Sequence, residues 1–196
     1  MSDVVNLFSA AGERWWIAGG YAIELAVGRA FREHGDIDVL LLRDDQLTAQ
    51  RILATWEWWC ADPAGVLRPW KREEILPDTV HDIWCRPGPD EPWRIQVMLD
   101  ESEDAEWVSR RDARVRRPIG RLGLVSAQGV PYLCPEVQLY YKAKRPRAKD
   151  EQDFTEALPI LDGEQRRWLA RTISMVYGDH PWPDRLREGA GERDGG

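Results

Sequence analysis

Apolar positions along this 196-residue chain switch between a helical and an alternating period, and the switches mark its elements. Val4, Leu7, Phe8 and Ala11 follow the i, i+3, i+4, i+7 spacing of a short amphipathic helix over residues 4–11. A brief apolar strand over 15–18 runs into Gly19 and Gly20. From Tyr21 the spacing of Ala22, Leu25 and Ala26 predicts a helix that stops at Gly28, a common cap residue. Residues 29–35 form a polar loop, and residues 36–42 read as a strand that opens with Asp36 and Asp38 and turns continuously apolar at Val39. Asp44 and Asp45 signal a further helix to about Trp56, with Leu47, Ile52, Leu53 and Trp56 on its inner face.

Beyond Trp56 the pattern shortens. Pro63, Gly65 and Pro69 break residues 58–70 into two short strands around a turn. Two β-rich runs, 79–85 and 93–99, flank a Pro- and Gly-rich connection and predict an antiparallel pair beside the aspartate strand. A hairpin follows over 122–126 and 130–133. Pro135 suits a first helical position, and Val137, Leu139, Tyr140 and Tyr141 give a helix ending before Pro146. A second runs from about 149 to 158 or 161, and Asp162 with Gln165 forms a capping box for a third over 164–177. The expectation is an α+β fold: a small mixed sheet with flanking helices over residues 1–133 and a helical part over 134–180. Residues 181–196 read as a tail, partly disordered and glycine-rich from Gly189.

Composition narrows the classes. A hydrophobic content of 43% with eleven tryptophans supplies ample core material. A net charge of -7 argues against a general nucleic-acid binder and suits a cationic small molecule better. Cys60, Cys85 and Cys134 lie far apart with no CxxC spacing, which argues against a structural zinc site and indicates no disulfide framework. No basic segment precedes an apolar N-terminal core, and no apolar run approaches the roughly 18 residues of a membrane span, so a cytoplasmic protein is expected. Nothing in the sequence sets an oligomeric state.

Candidate chemistry begins at Asp36 and Asp38. Residues i and i+2 of a strand share a face, so two carboxylates converge and repel unless a divalent cation lies between them. A solvated turn is the bland alternative, but Asp38 runs directly into a buried strand. At the other end of the unit, the amides of Gly19 and Gly20 at a helix start suit a phosphate. Metal carboxylates and a phosphate cradle together point to a nucleoside triphosphate. Three of the four lysines, Lys142, Lys144 and Lys149, fall within eight residues, where a solvated helix face is the alternative. The run RRDARVRR over 110–117 could contact RNA phosphates, although the acidic run over 100–106 is expected to neutralise it in a loop.

The stretch GGYAIELAVGRAFREHGDIDV over 19–39 resembles nucleotidyltransferases of the DNA polymerase beta superfamily, and more narrowly aminoglycoside 2''-adenylyltransferases and lincosamide nucleotidyltransferases. That resemblance implies Mg²⁺ held by Asp36 and Asp38, phosphates approached by Gly19 and Gly20, and Arg32 and His34 at the same mouth. It also implies a third carboxylate on the neighbouring strand. The aligned position is Gln96, which cannot act as a base, and Asp100 shares its face about 13 Å further on. Asp100 is the expected substitute, with Asp82 and His81 on the adjacent strand as others. The segment K-x-K-R-x-R-x-K-D-x-x-D is similar to one in which a lysine reaches the triphosphate, with Lys142 and Lys149 as candidates and Asp150 and Asp153 orienting Lys149 or capping a helix. The implied function is Mg²⁺-dependent transfer of a nucleoside monophosphate, AMP from ATP or the equivalent from another triphosphate, to a hydroxyl of a small polar acceptor such as an aminoglycoside-like antibiotic. Gln96 suggests as an alternative a catalytically impaired nucleotide-binding relative. The arginine run suggests an RNA- or protein-modifying nucleotidyltransferase of toxin-antitoxin type.

Overall fold

A computed structural model describes residues 1–188. Helix α1 (Ser2–Ser9) leads into strand β1 (Trp15–Ile17), helix α2 (Gly19–Val27), strand β2 (Ile37–Leu42) and helix α3 (Leu47–Ile52). Eight strands follow: β3 (Glu57–Ala61), β4 (Leu67–Pro69), β5 (Asp82–Arg86), β6 (Ile95–Glu103), β7 (Glu106–Val108), β8 (Arg116–Pro118), β9 (Gly123–Val125) and β10 (Pro131–Leu133). The chain ends in helices α4 (Pro135–Lys142), α5 (Ala148–Ala157), α6 (Gly163–Tyr177) and α7 (Trp182–Glu188).

The main sheet runs β4-β3-β5-β6-β2-β1-β10-β9, a mixed order within an α+β fold. Strand β2 sits near its middle, parallel to β6 and antiparallel to β1. Val39, Leu40, Leu41 and Leu42 are all buried, because a strand covered on both faces has no solvent side on which polar residues would alternate. Helix α4 is buried from Pro135 to Tyr141, including Glu136 and Gln138, and forms the junction between the sheet and the later helices.

Three segments differ from the sequence pattern. The helix expected to Trp56 is a 3-10 turn at Arg43–Asp45 followed by the six-residue α3. Thr55, Trp56, Trp58 and Trp59 favour the extended conformation that becomes β3. The acidic and basic runs, expected as a neutralised loop, form a two-stranded extension: β6 continues to Glu103 and pairs with β7, which pairs with β8. Arg116 reaches Glu103, Arg114 pairs with Asp112 and Arg117 with Glu136, so much of the run is neutralised, by more partners than the adjacent acids alone. Residues 182–188, expected in the tail, are helical. Trp182 is buried, stacks on Phe154 with ring centroids 4.2 Å apart, and donates its indole N–H to Glu151. The expectation for Gly189 onward lies outside the described residues. Among the described residues no helix is long and apolar enough to cross a membrane.

Candidate active site

The site starts where β1 turns into α2. Gly19 adopts φ +64°, the left-handed region that glycine enters without penalty. Space requires it as well: a Cβ there would lie 1.8 Å from Asp38 Oδ2. At Gly20 a Cβ would lie 1.8 Å from Arg32 Nη2 and 2.4 Å from His34 Cε1. The glycine pair therefore admits three polar side chains against the backbone. The Gly19 amide, expected at a phosphate, donates to Gln138 Oε1 at 2.8 Å instead.

Arg32 and His34 shape the loop that delivers Asp36, and neither lines the cleft. The Arg32 guanidinium grips Asp153 through Nε at 2.7 Å and Nη2 at 3.0 Å. His34 stacks on Tyr21 with centroids 3.9 Å apart, and its Nε2 lies 3.1 Å from Glu24 Oε1. Glu24 also accepts the backbone N–H groups of Phe31 and Arg32. Burial pushes the Glu24 carboxyl up, but the Phe31 amide, His34 and the Arg32 amide outweigh it and hold the group below the usual carboxylate range.

A cleft of about 500 Å³ opens between the sheet and the start of the helical part. Asp36, Asp38, Asp82, Trp84, Gln96 and Met98 form its sheet wall, and Tyr141, Lys142, Lys144, Arg145, Arg147 and Lys149 line the facing side. Burial and the neighbouring Asp36 carboxylate push Asp38 up to about 6, against the opposing pull of Lys142 and Lys149. Burial is the larger cause, and the adjacent Asp36 adds to it. Among the described residues no three His, Cys, Asp or Glu side chains close on one point. Two carboxylates nevertheless suit Mg²⁺, which commonly takes one or two and completes its shell with water and substrate phosphates.

The strand register pairs Asp38 with Gln96. Gln96 Nε2 donates to Asp82 Oδ1 at 3.0 Å. Asp82 sits opposite Met98 on the far side of β6, shares the cleft face with Gln96, and is 38% exposed. The expected substitute, Asp100, lies elsewhere. It is fully buried, its Oδ2 accepts both the Trp107 indole N–H and the Tyr141 hydroxyl at 2.6 Å, and it does not line the cleft. Register with β2 holds unbroken to the Leu42–Asp100 pair, so no strand bend brings this carboxylate forward. His81 does not line the cleft either; its Nδ1 faces Arg43 at 3.1 Å.

Across the cleft, Lys142 is 8% exposed and bridges Asp150 at 3.1 Å and Asp153 at 2.8 Å. Asp153 thus serves Arg32 and Lys142 together. Asp150 also accepts the Arg147 backbone N–H at the start of α5. Burial raises the Asp150 carboxyl, but the Arg147 side chain and amide and Lys142 bring it to about 2. The two aspartates therefore orient Lys142, not Lys149, while Lys149 stands exposed in the cleft. Gln138 was not singled out from the sequence, and Arg110 only as part of the arginine run over 110–117. Asp82 was named only as an alternative, although the alternation in HDIWC already places it on one face with Trp84.

The family model for aminoglycoside-2''-adenylyltransferase matches residues 1–157. Compared by sequence with curated proteins, the chain matches none. Its fold is similar to a crystal structure of ANT(2'')-Ia in complex with adenylyl-2''-tobramycin, with a TM-score of 0.56 and 17% identity, covering 88% of this chain and 94% of that one. It is also similar to the lincosamide antibiotic adenylyltransferase LnuA bound to lincomycin, with a TM-score of 0.56 and 13% identity over 81% of this chain and 94% of that one. A solution structure of ANT(2'')-Ia matches at a TM-score of 0.56 and 19% identity, over 96% and 97% of the two chains.

Proposed function

Since this chain belongs to the aminoglycoside-2''-adenylyltransferase family of enzymes, we propose that its cleft transfers AMP from ATP to a hydroxyl of a small polar acceptor such as an aminoglycoside-like antibiotic, with Mg²⁺ held by Asp36 and Asp38. The observation that carries this reading is the Asp36–Asp38 pair facing Lys142 and Lys149 across one cleft. Asp36 and Asp38 would hold the ion, which would supply positive charge against the triphosphate and its pyrophosphate leaving group. Lys142, fixed by two aspartates, presents a charge with little conformational freedom, and Lys149 supplies a second from the N-terminus of α5. Asp82 takes the acceptor proton in place of the carboxylate that Gln96 replaces, and Gln96 holds Asp82 Oδ1 in position.

The test is acceptor-dependent pyrophosphate release from ATP and Mg²⁺, with a panel of hydroxylated acceptors spanning cationic, neutral and anionic compounds. Release is expected with at least one class, and Asp38→Ala should abolish it. ATP binding without release for any acceptor would refute transfer in favour of an impaired relative. Label appearing only on tRNA would point to an RNA-modifying enzyme.

A further inference from the structure

The sheet wall of the cleft does not stop at its carboxylates. Asp38 on β2 pairs with Gln96 on β6, Gln96 with Trp84 on β5, and Trp84 with Trp59 on β3. Cross-strand partners point to one face of a sheet, so a single row runs outward from the proposed metal site and ends in two indoles. Trp84 lines the cleft, and Trp59 lies past its edge. Trp93 stands edge-on to Trp59 with ring centroids 6.3 Å apart, and the Arg86 guanidinium covers the Trp93 ring at 4.6 Å. Arg86 Nε donates to Glu57 at 2.7 Å, and this pair closes the far end.

Trp59, Trp84 and Trp93 are only half-buried. Alternation puts Trp58 on the opposite face of β3, and there the indoles are locked. Trp58 donates to the Leu53 carbonyl at 2.9 Å and packs edge-on to buried Trp70, which donates to the Glu74 carbonyl at 2.8 Å. On the cleft face the indoles of Trp59 and Trp84 donate to no acceptor among the described residues. Apolar surface continuous with a polar cleft is the composition of a ligand-binding wall.

Position decides which ligand it serves. In the transfer reading the triphosphate lies against Lys142 and Lys149, and the acceptor hydroxyl lies at Asp82, so the row leads away from the nucleotide. Asp82 and Trp84 are two residues apart on β5, about 7 Å, and Trp59 is one strand, about 5 Å, further out. A single sugar-sized ring with its hydroxyl at Asp82 therefore ends at Trp84, and a second linked ring lies over Trp59. Charge is concentrated at the reacting end. Asp36, Asp38 and Asp82 stand there, whereas Asp150 is engaged by Lys142 and Arg147, and Glu57 by Arg86. The far end selects by shape and by its aromatic faces.

We propose that Trp84 and Trp59 form a stacking subsite for an acceptor of at least two linked rings, the first bearing the reacting hydroxyl beside Asp82 and the second lying with its C–H face on the indoles. This rests on the transfer reading above. An ammonium substituent on the second ring would add a cation–π contact to the same faces.

The probes are tobramycin and lincomycin, with glucosamine as the single-ring control, titrated by calorimetry into protein loaded with Mg²⁺ and a non-hydrolysable ATP analogue. At least one multi-ring compound should bind about tenfold or more tightly than glucosamine, since it removes more apolar surface from water. Trp84→Ala and Trp59→Ala should each weaken it by about 5- to 30-fold, the worth of one ring face removed from water, with the affinity for the ATP analogue unchanged. Trp84→Phe, which keeps an aromatic face, should retain most of the binding. Because truncation could disturb β3 and β5, the parent protein provides a second readout. Its Trp59 and Trp84 indole ¹H–¹⁵N resonances, each assigned by the matching Trp→Phe variant, should both shift with the multi-ring compound, and only that of Trp84 with glucosamine. Failure of both multi-ring compounds to bind, no preference over glucosamine, indole resonances that stay in place on binding, or weakened binding of the ATP analogue in place of the acceptor would overturn the proposal; the last would assign the indoles to the nucleotide base. Failure of the ATP analogue to bind parent protein would instead refute the transfer reading, and the indole shifts would then be read on nucleotide-free protein.

Discussion

Replacing Asp38 with asparagine should stabilise the metal-free protein while destroying its proposed activity. Asp38 titrates at about 6 in the folded chain, raised from an ordinary 3.8 first by burial and then by Asp36. At about 1.4 kcal/mol for each tenfold change in proton affinity, the full shift corresponds to about 3 kcal/mol. Solvent screening in an open cleft reduces this to about 1–2 kcal/mol. The sign follows from linkage. A carboxylate with a raised folded value binds its proton more tightly in the native state, so native stability falls as pH rises from about 4 through 6 and is level above. An asparagine amide lacks this titration. Urea unfolding of Asp38→Asn and the parent in EDTA should therefore show the variant more stable by about 1–2 kcal/mol at pH 8, with the gap closing near pH 4. Addition of Mg²⁺ and ATP should raise the parent midpoint and leave that of the variant in place. A parent at least as stable as the variant at pH 8, or a gap independent of pH, would refute the reasoning, because any pH-independent difference belongs to the amide itself.

Other substitutions separate the remaining roles. Asp82→Asn should lower kcat by about 10²- to 10⁴-fold, the usual worth of a general base, with the KM for ATP unchanged; an unaffected kcat would remove Asp82 from the reaction. Restoring a carboxylate beside Asp38 by Gln96→Glu in the Asp82→Asn background should recover part of that loss in single-turnover assays. Gly20→Ala places a Cβ 1.8 Å from Arg32 Nη2 and should break the grip on Asp153, at a cost of about 2–4 kcal/mol in thermal unfolding. Trp182→Ala should cost about 3–5 kcal/mol, the range for removing a large buried aromatic, whereas a loss under about 1 kcal/mol would mean that α7 is peripheral.

The glycine turn, the aspartate strand and the helices after Pro135 were legible because local periodicity and punctuation determine them. The position of Gln96 came from the family resemblance, and the strand register places it opposite Asp38. Asp100 misled because alternation assigns it to the face of Gln96 and says nothing of depth. Trp107 and Tyr141, seven and forty-one residues away, enclose its carboxylate. Arg32 misled similarly, because its partner Asp153 lies in another element. The purpose of the lysine-rich segment was only half readable: the acids next to Lys149 in sequence serve Lys142 in space. Such pairings depend on tertiary placement, which sequence spacing does not encode.

Asp153 joins two cations that come from distant parts of the chain, Arg32 from the loop before the aspartate strand and Lys142 from α4. It follows Arg32 by 121 residues. Closing so long a loop is entropically unfavourable until the partners are in place, and contacts of large sequence separation form late in folding. The aspartate strand can pair with its neighbours before α5 has docked, and Glu24 can hold the backbone of the loop before Asp36, but the Arg32 guanidinium lacks its carboxylate partner until then. A chain still emerging from the ribosome, with most of the sheet made, would have no competent cleft. The cleft is complete only when one buried acid joins the loop before β2 to α4.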